Sequence, residues 1–183
     1  MTNIYFVRHA KVTYTEDDHT RPLSEQGKID VIKVIEFFRE IKIDNIVSSP
    51  YERAIHTIEG VANNKGLKIK CYDNLRERKV AYGIINDFEN FTKKQWKDFK
   101  YKLDGGESLT EVQKRGNDVL REILDTYQDK NIIIGTHGTF LAVILNFYDT
   151  TYDFNFWKTM RMPDIYKLKF EKDKLIVIKH FEI

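Results

Sequence analysis

The chain has 183 residues, enough for one domain with a real core and too few to suggest two. Its 30 Lys and Arg nearly balance 28 Asp and Glu, a formal net charge of +2, so no bulk charge draws it to nucleic acid. No apolar run reaches the roughly 18 residues of a membrane span. Met1-Thr2-Asn3-Ile4 lacks the basic leader and apolar block of a secretory signal. The single cysteine, Cys71, cannot close an internal disulfide, and no Cys/His cluster suggests structural zinc. These features predict a cytoplasmic protein.

Ile4-Tyr5-Phe6-Val7 is a β-prone run of the kind buried on both faces of a sheet, and it ends abruptly in Arg8-His9-Ala10. Lys11 to Pro22 is polar and without period, and reads as a loop. A helix follows Ser24, with Ile29, Ile32, Ile35 and Phe38, and Val31 and Val34 beside them, as its apolar stripe up to about Ile41. Asn45-Ile46-Val47-Ser48 is a second strand. Ser49-Pro50-Tyr51-Glu52-Arg53 then reads as a helix start, with Ser49 as cap, Pro50 at the first position and Glu52 completing a capping box. Lys68 to Tyr72 is a further strand.

Asp73 to Asn90 has no clear period and carries the dense charge cluster Arg76-Glu77-Arg78-Lys79, as a functional loop would. Gln95 to Leu103 is expected to form a short helix. Ser108 with Glu111 makes another capping box, ahead of Val112, Val119, Leu120, Ile123 and Leu124 at helical spacing. Asn131 to Ile134 is a buried strand that turns at Gly135-Thr136-His137-Gly138, and Thr139 to Phe147 is helical. Ile165 to Phe170 and Leu175 to Phe181 alternate about Glu171-Lys172-Asp173-Lys174, as a hairpin or a pair of edge strands would. No linker or repeat interrupts the chain, so residues 1–183 are expected to form a single domain.

Strands alternating with helices predict a three-layer α/β/α sandwich with a central, mostly parallel sheet. Ligands of such sheets bind beyond the carboxyl ends of the strands. Arg8-His9, Arg53 and His137 all fall at that edge, and their convergence marks the candidate site.

Arg8-His9, Ser49-x-x-x-Arg53, Glu77 in Leu75-Arg76-Glu77, and Gly135-Thr136-His137-Gly138 together resemble the histidine phosphatase superfamily, which includes the cofactor-dependent phosphoglycerate mutases and many small phosphatases. Arg21-Pro22-Leu23-Ser24-x-x-Gly27 and Gly106-Glu107-Ser108 with Arg115 add to the likeness, which runs in unbroken order from Ile4 to about Leu145. The resemblance implies a phosphoglycerate mutase-like fold and a small phosphorylated substrate, with no metal and no other cofactor. Oligomeric state is not legible in the sequence.

The chemistry can be argued from the residues. A phosphate monoester carries about two negative charges near neutral pH, and a nucleophile approaches phosphorus only when that charge is offset. Arg8 and Arg53 offer planar forks that fit phosphate oxygens. His137 would donate a further hydrogen bond, the amino end of the helix capped by Ser49 adds unpaired N–H groups and a positive dipole end, and Gly138 is counted among the phosphate-binding residues. His9 would attack phosphorus to form a phosphohistidine. Glu77 would protonate the leaving alcohol and then activate water; Glu52 and Glu107 are its rivals, each with a helix-start explanation. Arg21 reads as a solvated loop arginine. His19, His56 and His180 take no catalytic part in this reading.

Some positions depart from the family pattern. Ala10 stands where glycine is commonest. Lys11-Val12-Thr13-Tyr14-Thr15 replaces the mutase continuation, with Thr15 assigned the phosphate-bonding role of its asparagine. Tyr82-Gly83-Ile84-Ile85-Asn86-Asp87 replaces the usual segment after the acid. A mutase must shield its intermediate from water while the substrate reorients, and this short chain has no obvious segment for that. The sequence therefore favours a metal-independent phosphomonoesterase, with phosphoglycerate mutase and a non-catalytic phospho-ligand binding domain as the alternatives. Phe88, Phe91, Trp96, Phe99 and Tyr101 are expected in the core of a lid helix, and Tyr152 to Trp157 is a candidate contact surface.

Overall fold

Runs such as Ile4–Val7 and Ile132–Ile134 are apolar at successive positions, and only a sheet covered on both faces can bury them. The computed structural model describes residues 1–83 and 85–183; Ile84, part of the segment that departs from the family pattern, lies outside the described residues. Strands β1 (Thr2–Arg8), β2 (Asn45–Ser48), β3 (Ile69–Cys71) and β4 (Asn131–Thr136) are mutually parallel. The expected hairpin, β5 (Asp164–Glu171) and β6 (Lys174–Phe181), adds two antiparallel strands at one side. The order across the sheet is β3-β2-β4-β1-β5-β6.

Alternation along each strand divides the core in two. Ile4, Phe6, Ile132 and Ile134 pack with Leu120, Ile123, Leu141 and Ile144 from α4 (Leu109–Thr126) and α5 (Gly138–Tyr148). Tyr5, Val7 and Ile133 point to the other face, against Val34 and Phe38 of α1 (Glu25–Phe38) and Ile58 and Val61 of α2 (Glu52–Lys65). The expected three layers are thus present. Among the described residues, no helix is long and apolar enough to cross a membrane.

Several local readings are corrected. On α1 the inward stripe is Gly27, Asp30, Val34 and Phe38, whereas Ile29 and Ile32 are each 58% exposed. Gly27 sets that rotation: a Cβ there would lie 2.1 Å from the Lys11 carbonyl oxygen, so only glycine can face the loop so closely. The second helix starts at Glu52, not at Pro50. Its N-cap is Tyr51, without a side-chain cap bond, so the capping box around Ser49 does not form. Helix α3 (Phe88–Lys97) begins seven residues before Gln95, because the Asp87 carboxylate accepts from the Asn90 N–H and starts it early. The Ser108–Glu111 capping box does form. Tyr152, Phe156 and Trp157, beside and within α6 (Phe154–Thr159), are partly buried and pack against the core.

The parallel register brings the carboxyl ends together. Arg8 pairs with Thr136 across β1 and β4, and Ser48 pairs with Gly135 across β2 and β4. Because β5 runs the other way, its first residue, Asp164, pairs with Arg8 at the same edge.

Candidate active site

His9 follows the last residue of β1 and prolongs its ladder, its backbone N–H donating to the Thr136 carbonyl at 3.0 Å. The next residue is tied as well: the Ala10 N–H donates to Thr57 Oγ1 at 3.0 Å, and that hydroxyl donates to the Arg53 carbonyl at 2.7 Å. Strand and helix therefore hold the base of the histidine rigidly. The ring atom Nδ1 lies 2.8 Å from the Ala10 carbonyl oxygen. A carbonyl can only accept, so this contact assigns the proton to Nδ1 and leaves a lone pair on Nε2. Burial, with the Arg53 charge the next cause, pulls the His9 pKa down to about 3, against the opposing pull of the Ala10 bond. Near neutral pH the imidazole is uncharged, the state a nucleophile needs.

His137 sits between β4 and α5, its ring centre 5.3 Å from that of His9. Its Nε2 lies 2.7 Å from Ser49 Oγ. That hydroxyl also accepts from the Tyr51 N–H at 3.2 Å, and we assign its one proton to Nε2. The tautomer so assigned carries its ring proton on Nδ1, a buried atom without a hydrogen-bond partner among the described residues. Burial holds the His137 pKa well below the ordinary histidine value, with the Arg53 charge the next cause.

Two guanidinium groups face these rings. Arg8 Nη1 donates to the carbonyls of Met160 at 2.8 Å and Arg161 at 3.2 Å, while its Nε is buried without a partner among the described residues. Arg53, in the first turn of α2, is 3% exposed and donates through Nη1 to the Asp18 carbonyl at 2.5 Å. It lies over the Tyr51 ring, 4.9 Å from its centre, and the same ring meets His137 edge-on. Two cations, Arg53 buried and Arg8 half-buried, beside two uncharged histidines make a site suited to an anion.

The Glu77 carboxylate occupies the start of α5. Oε1 accepts from the N–H groups of Arg78 at 2.8 Å and Phe140 at 3.0 Å, and Oε2 accepts from Thr139 at 3.0 Å. Two of these donors belong to the first turn of the helix that His137 precedes, a place that suits a negative group. The loop carrying Glu77 is held by Arg115, which donates to the carbonyls of Asn74, Arg76 and Glu77. Arg115 is itself gripped by Glu107, with Nε to Oε1 at 2.7 Å and Nη2 to Oε2 at 3.0 Å. Burial works to raise the Glu107 pKa, but the Arg115 guanidinium outweighs it and keeps the carboxyl below its usual range. Glu107 is thus a structural anion rather than a proton donor.

The structure brings Arg8, His9, Arg53, Glu77, His137 and Gly138 to one place. Thr15 is engaged within its own loop: its hydroxyl donates to the Asp17 carbonyl at 3.1 Å and its carbonyl accepts from Arg21. Arg21 lies nearer the site than its solvated-loop reading implies, since its charge reaches His9 and Asp18 pairs with both Arg21 at 2.7 Å and Arg53 at 3.2 Å. Its place in the Arg-Pro-Leu-Ser motif was the available signal. For Ser49 the signal was its place in Ser49-x-x-x-Arg53, but the helix-cap reading of the serine hid its contact with His137.

The sequence matches the histidine phosphatase superfamily (branch 1) over residues 4–182. The probable phosphoglycerate mutase GpmB of Salmonella choleraesuis is 24% identical over 159 residues, covering 80% of this chain and 74% of the relative. Among solved structures, Bacillus stearothermophilus YhfR superposes with a TM-score of 0.81 at 19% identity, covering 97% of this chain and 95% of its own. Mycobacterial glucosyl-3-phosphoglycerate phosphatase gives 0.78 at 18% identity, covering 97% of this chain and 96% of the other. At these identities the superpositions establish a shared fold.

Proposed function

The chain belongs to the histidine phosphatase superfamily, and from its site we propose that it is a phosphomonoesterase working through a phosphorylated His9. The observation that carries this reading is the His9 ring: buried, uncharged, its Nδ1 proton committed to the Ala10 carbonyl and Nε2 left free. The family match over residues 4–182 supports reading the whole chain as one catalytic domain.

A small phosphate ester enters with its dianionic end between Arg8 and Arg53, whose two positive charges offset it. The His137 Nδ1–H and the Gly138 N–H add neutral donors, while the next two N–H groups of α5, of Thr139 and Phe140, are held by Glu77. His9 Nε2 attacks phosphorus; the N–P bond forms as the ester P–O bond breaks. The leaving oxygen takes a proton from Glu77, whose carboxylate accepts three N–H bonds in the free site and which must take up a proton as the dianionic ester arrives. In the second step Glu77 accepts a proton from water, the water oxygen bonds to phosphorus, and the N–P bond breaks. Glu77 returns to its starting state and inorganic phosphate leaves. The charge on the transferring group is met throughout by the chain's own cations.

The test is phosphate release from p-nitrophenyl phosphate and a panel of sugar, nucleotide, glycerate and amino-acid phosphates, with the phosphoenzyme trapped by an alkaline detergent quench. We expect turnover together with an acid-labile phosphoenzyme. In His9→Ala both should vanish, the rate falling at least about a thousandfold. Turnover in His9→Ala at the wild-type rate would sink the mechanism. The likeness to a probable phosphoglycerate mutase favours a second reading, isomerisation of 3-phosphoglycerate. Isomerisation that outpaces phosphate release in the same samples would replace the first reading with that one.

A further inference from the structure

We propose that Asp164 is the positioning residue for Arg8: its buried carboxylate braces the turn whose carbonyls hold the guanidinium toward the phosphate. This rests on the reading of Arg8 as a phosphate ligand.

Asp164 opens β5 and pairs with Arg8 in the antiparallel ladder. Its side chain is 2% exposed in a setting where an unbonded carboxylate would be costly. Oδ2 accepts from the Arg161 N–H at 3.1 Å, and Oδ1 accepts from the Ile165 N–H at 3.2 Å and lies 2.6 Å from His180 Nε2. The His180 ring stacks on Tyr166 at 4.5 Å between centres, which fixes it beneath the carboxylate. The turn so anchored supplies the Met160 and Arg161 carbonyls that take Arg8 Nη1. One aspartate thus ties the amide of Arg161 from one side while the guanidinium grips its carbonyl from the other. Electrostatics point the same way: burial lowers the Arg8 pKa, and the negative charges of Glu77 and then Asp164 oppose that drop. A carboxylate placed only to start a strand would need neither the turn amide nor the histidine.

The experiment is a double-mutant cycle read by phosphorus NMR titration with inorganic phosphate, on wild type, Arg8→Ala, Asp164→Ala and the double variant. We expect Asp164→Ala to weaken phosphate binding about tenfold in the wild-type background and less than twofold in Arg8→Ala. In p-nitrophenyl phosphate turnover, its KM should rise while kcat stays within about twofold. His180→Ala, at a side chain 36% exposed, provides the same comparison if Asp164→Ala does not fold, with an expected loss of about threefold that disappears in Arg8→Ala. Equal losses in both backgrounds would overturn the role of Asp164 while leaving the phosphate site intact. Absence of phosphate binding in wild type would instead overturn the site reading, and this proposal with it.

Discussion

The guanidinium of Arg8 lies flat against Gly138: a methyl group on that glycine would come within 2.8 Å of Cζ and of Nη2. Arg8 cannot simply swing away, because Nη1 is held by two carbonyls on its other side. The glycine after the second histidine is therefore a matter of space for a cation rather than of backbone freedom.

Gly138→Ala should displace Arg8 and leave the helix sound, since alanine is the better helix former by up to about 1 kcal/mol. The expected result is phosphate binding weakened about tenfold with a melting temperature unchanged or slightly lowered, the gain in helix propensity being offset by the loss of the Arg8 bonds to Met160 and Arg161. Phosphate titration beside a thermal melt reads both. Wild-type affinity in this variant would mean that Arg8 has room to move and that the close approach does not matter.

The sheet and its carboxyl-end residues were legible because their signals are local and strong. Long apolar runs end in Arg8-His9 and Thr136-His137, and a parallel sheet must bring such ends to one edge. What escaped sequence reading is decided across distance. Ser49 has the local signature of a helix cap, but its hydroxyl is claimed by His137, 88 residues away. Ile29 and Ile32 satisfy a helical period and still face solvent, because the tight seat of Gly27 against Lys11 sets the rotation of α1. Asp164 shows nothing in its local sequence to link it with Arg8, from which it is separated by most of the chain and joined only by strand register.

Glu107→Gln should act on chemistry more than on binding. It breaks the two-pronged grip on Arg115, and through it the hold on the loop that presents Glu77. The expected outcome is a kcat lowered about tenfold, phosphate affinity within twofold of wild type, and a stability loss of about 2 kcal/mol from the broken charged bonds. Steady-state kinetics and urea denaturation measure these together. A kcat equal to that of wild type would show that the loop keeps its place without the clamp.

Ser49→Ala tests the tautomer assigned to His137. The serine hydroxyl is fully buried, so its loss leaves Nε2 without a donor and costs about 1–3 kcal/mol. The ring then has no partner that directs its Nδ1 proton toward the phosphate, and KM for a phosphate ester should rise several-fold. Ser49→Thr keeps the hydroxyl and should recover part of the affinity. A KM unaffected in Ser49→Ala would remove His137 Nδ1 from the set of phosphate donors.

The buried histidines also set how the fold responds to acid. His9 titrates near 6.5 when unfolded and at about 3 when folded. Between those values the unfolded chain binds a proton that the folded chain refuses, so stability falls as pH drops through this window and is fully present above 6.5. His137 is lowered for the same reason, burial, and adds to the slope. Each histidine contributes at most about 1.4 kcal/mol per pH unit. Urea denaturation should therefore find the wild type about 3 kcal/mol less stable at pH 5.5 than at pH 7.5. His9→Asn removes one of the two groups and should show about half that loss. A loss as large as that of wild type would contradict a buried, uncharged His9, and with it the nucleophile on which the proposed chemistry depends.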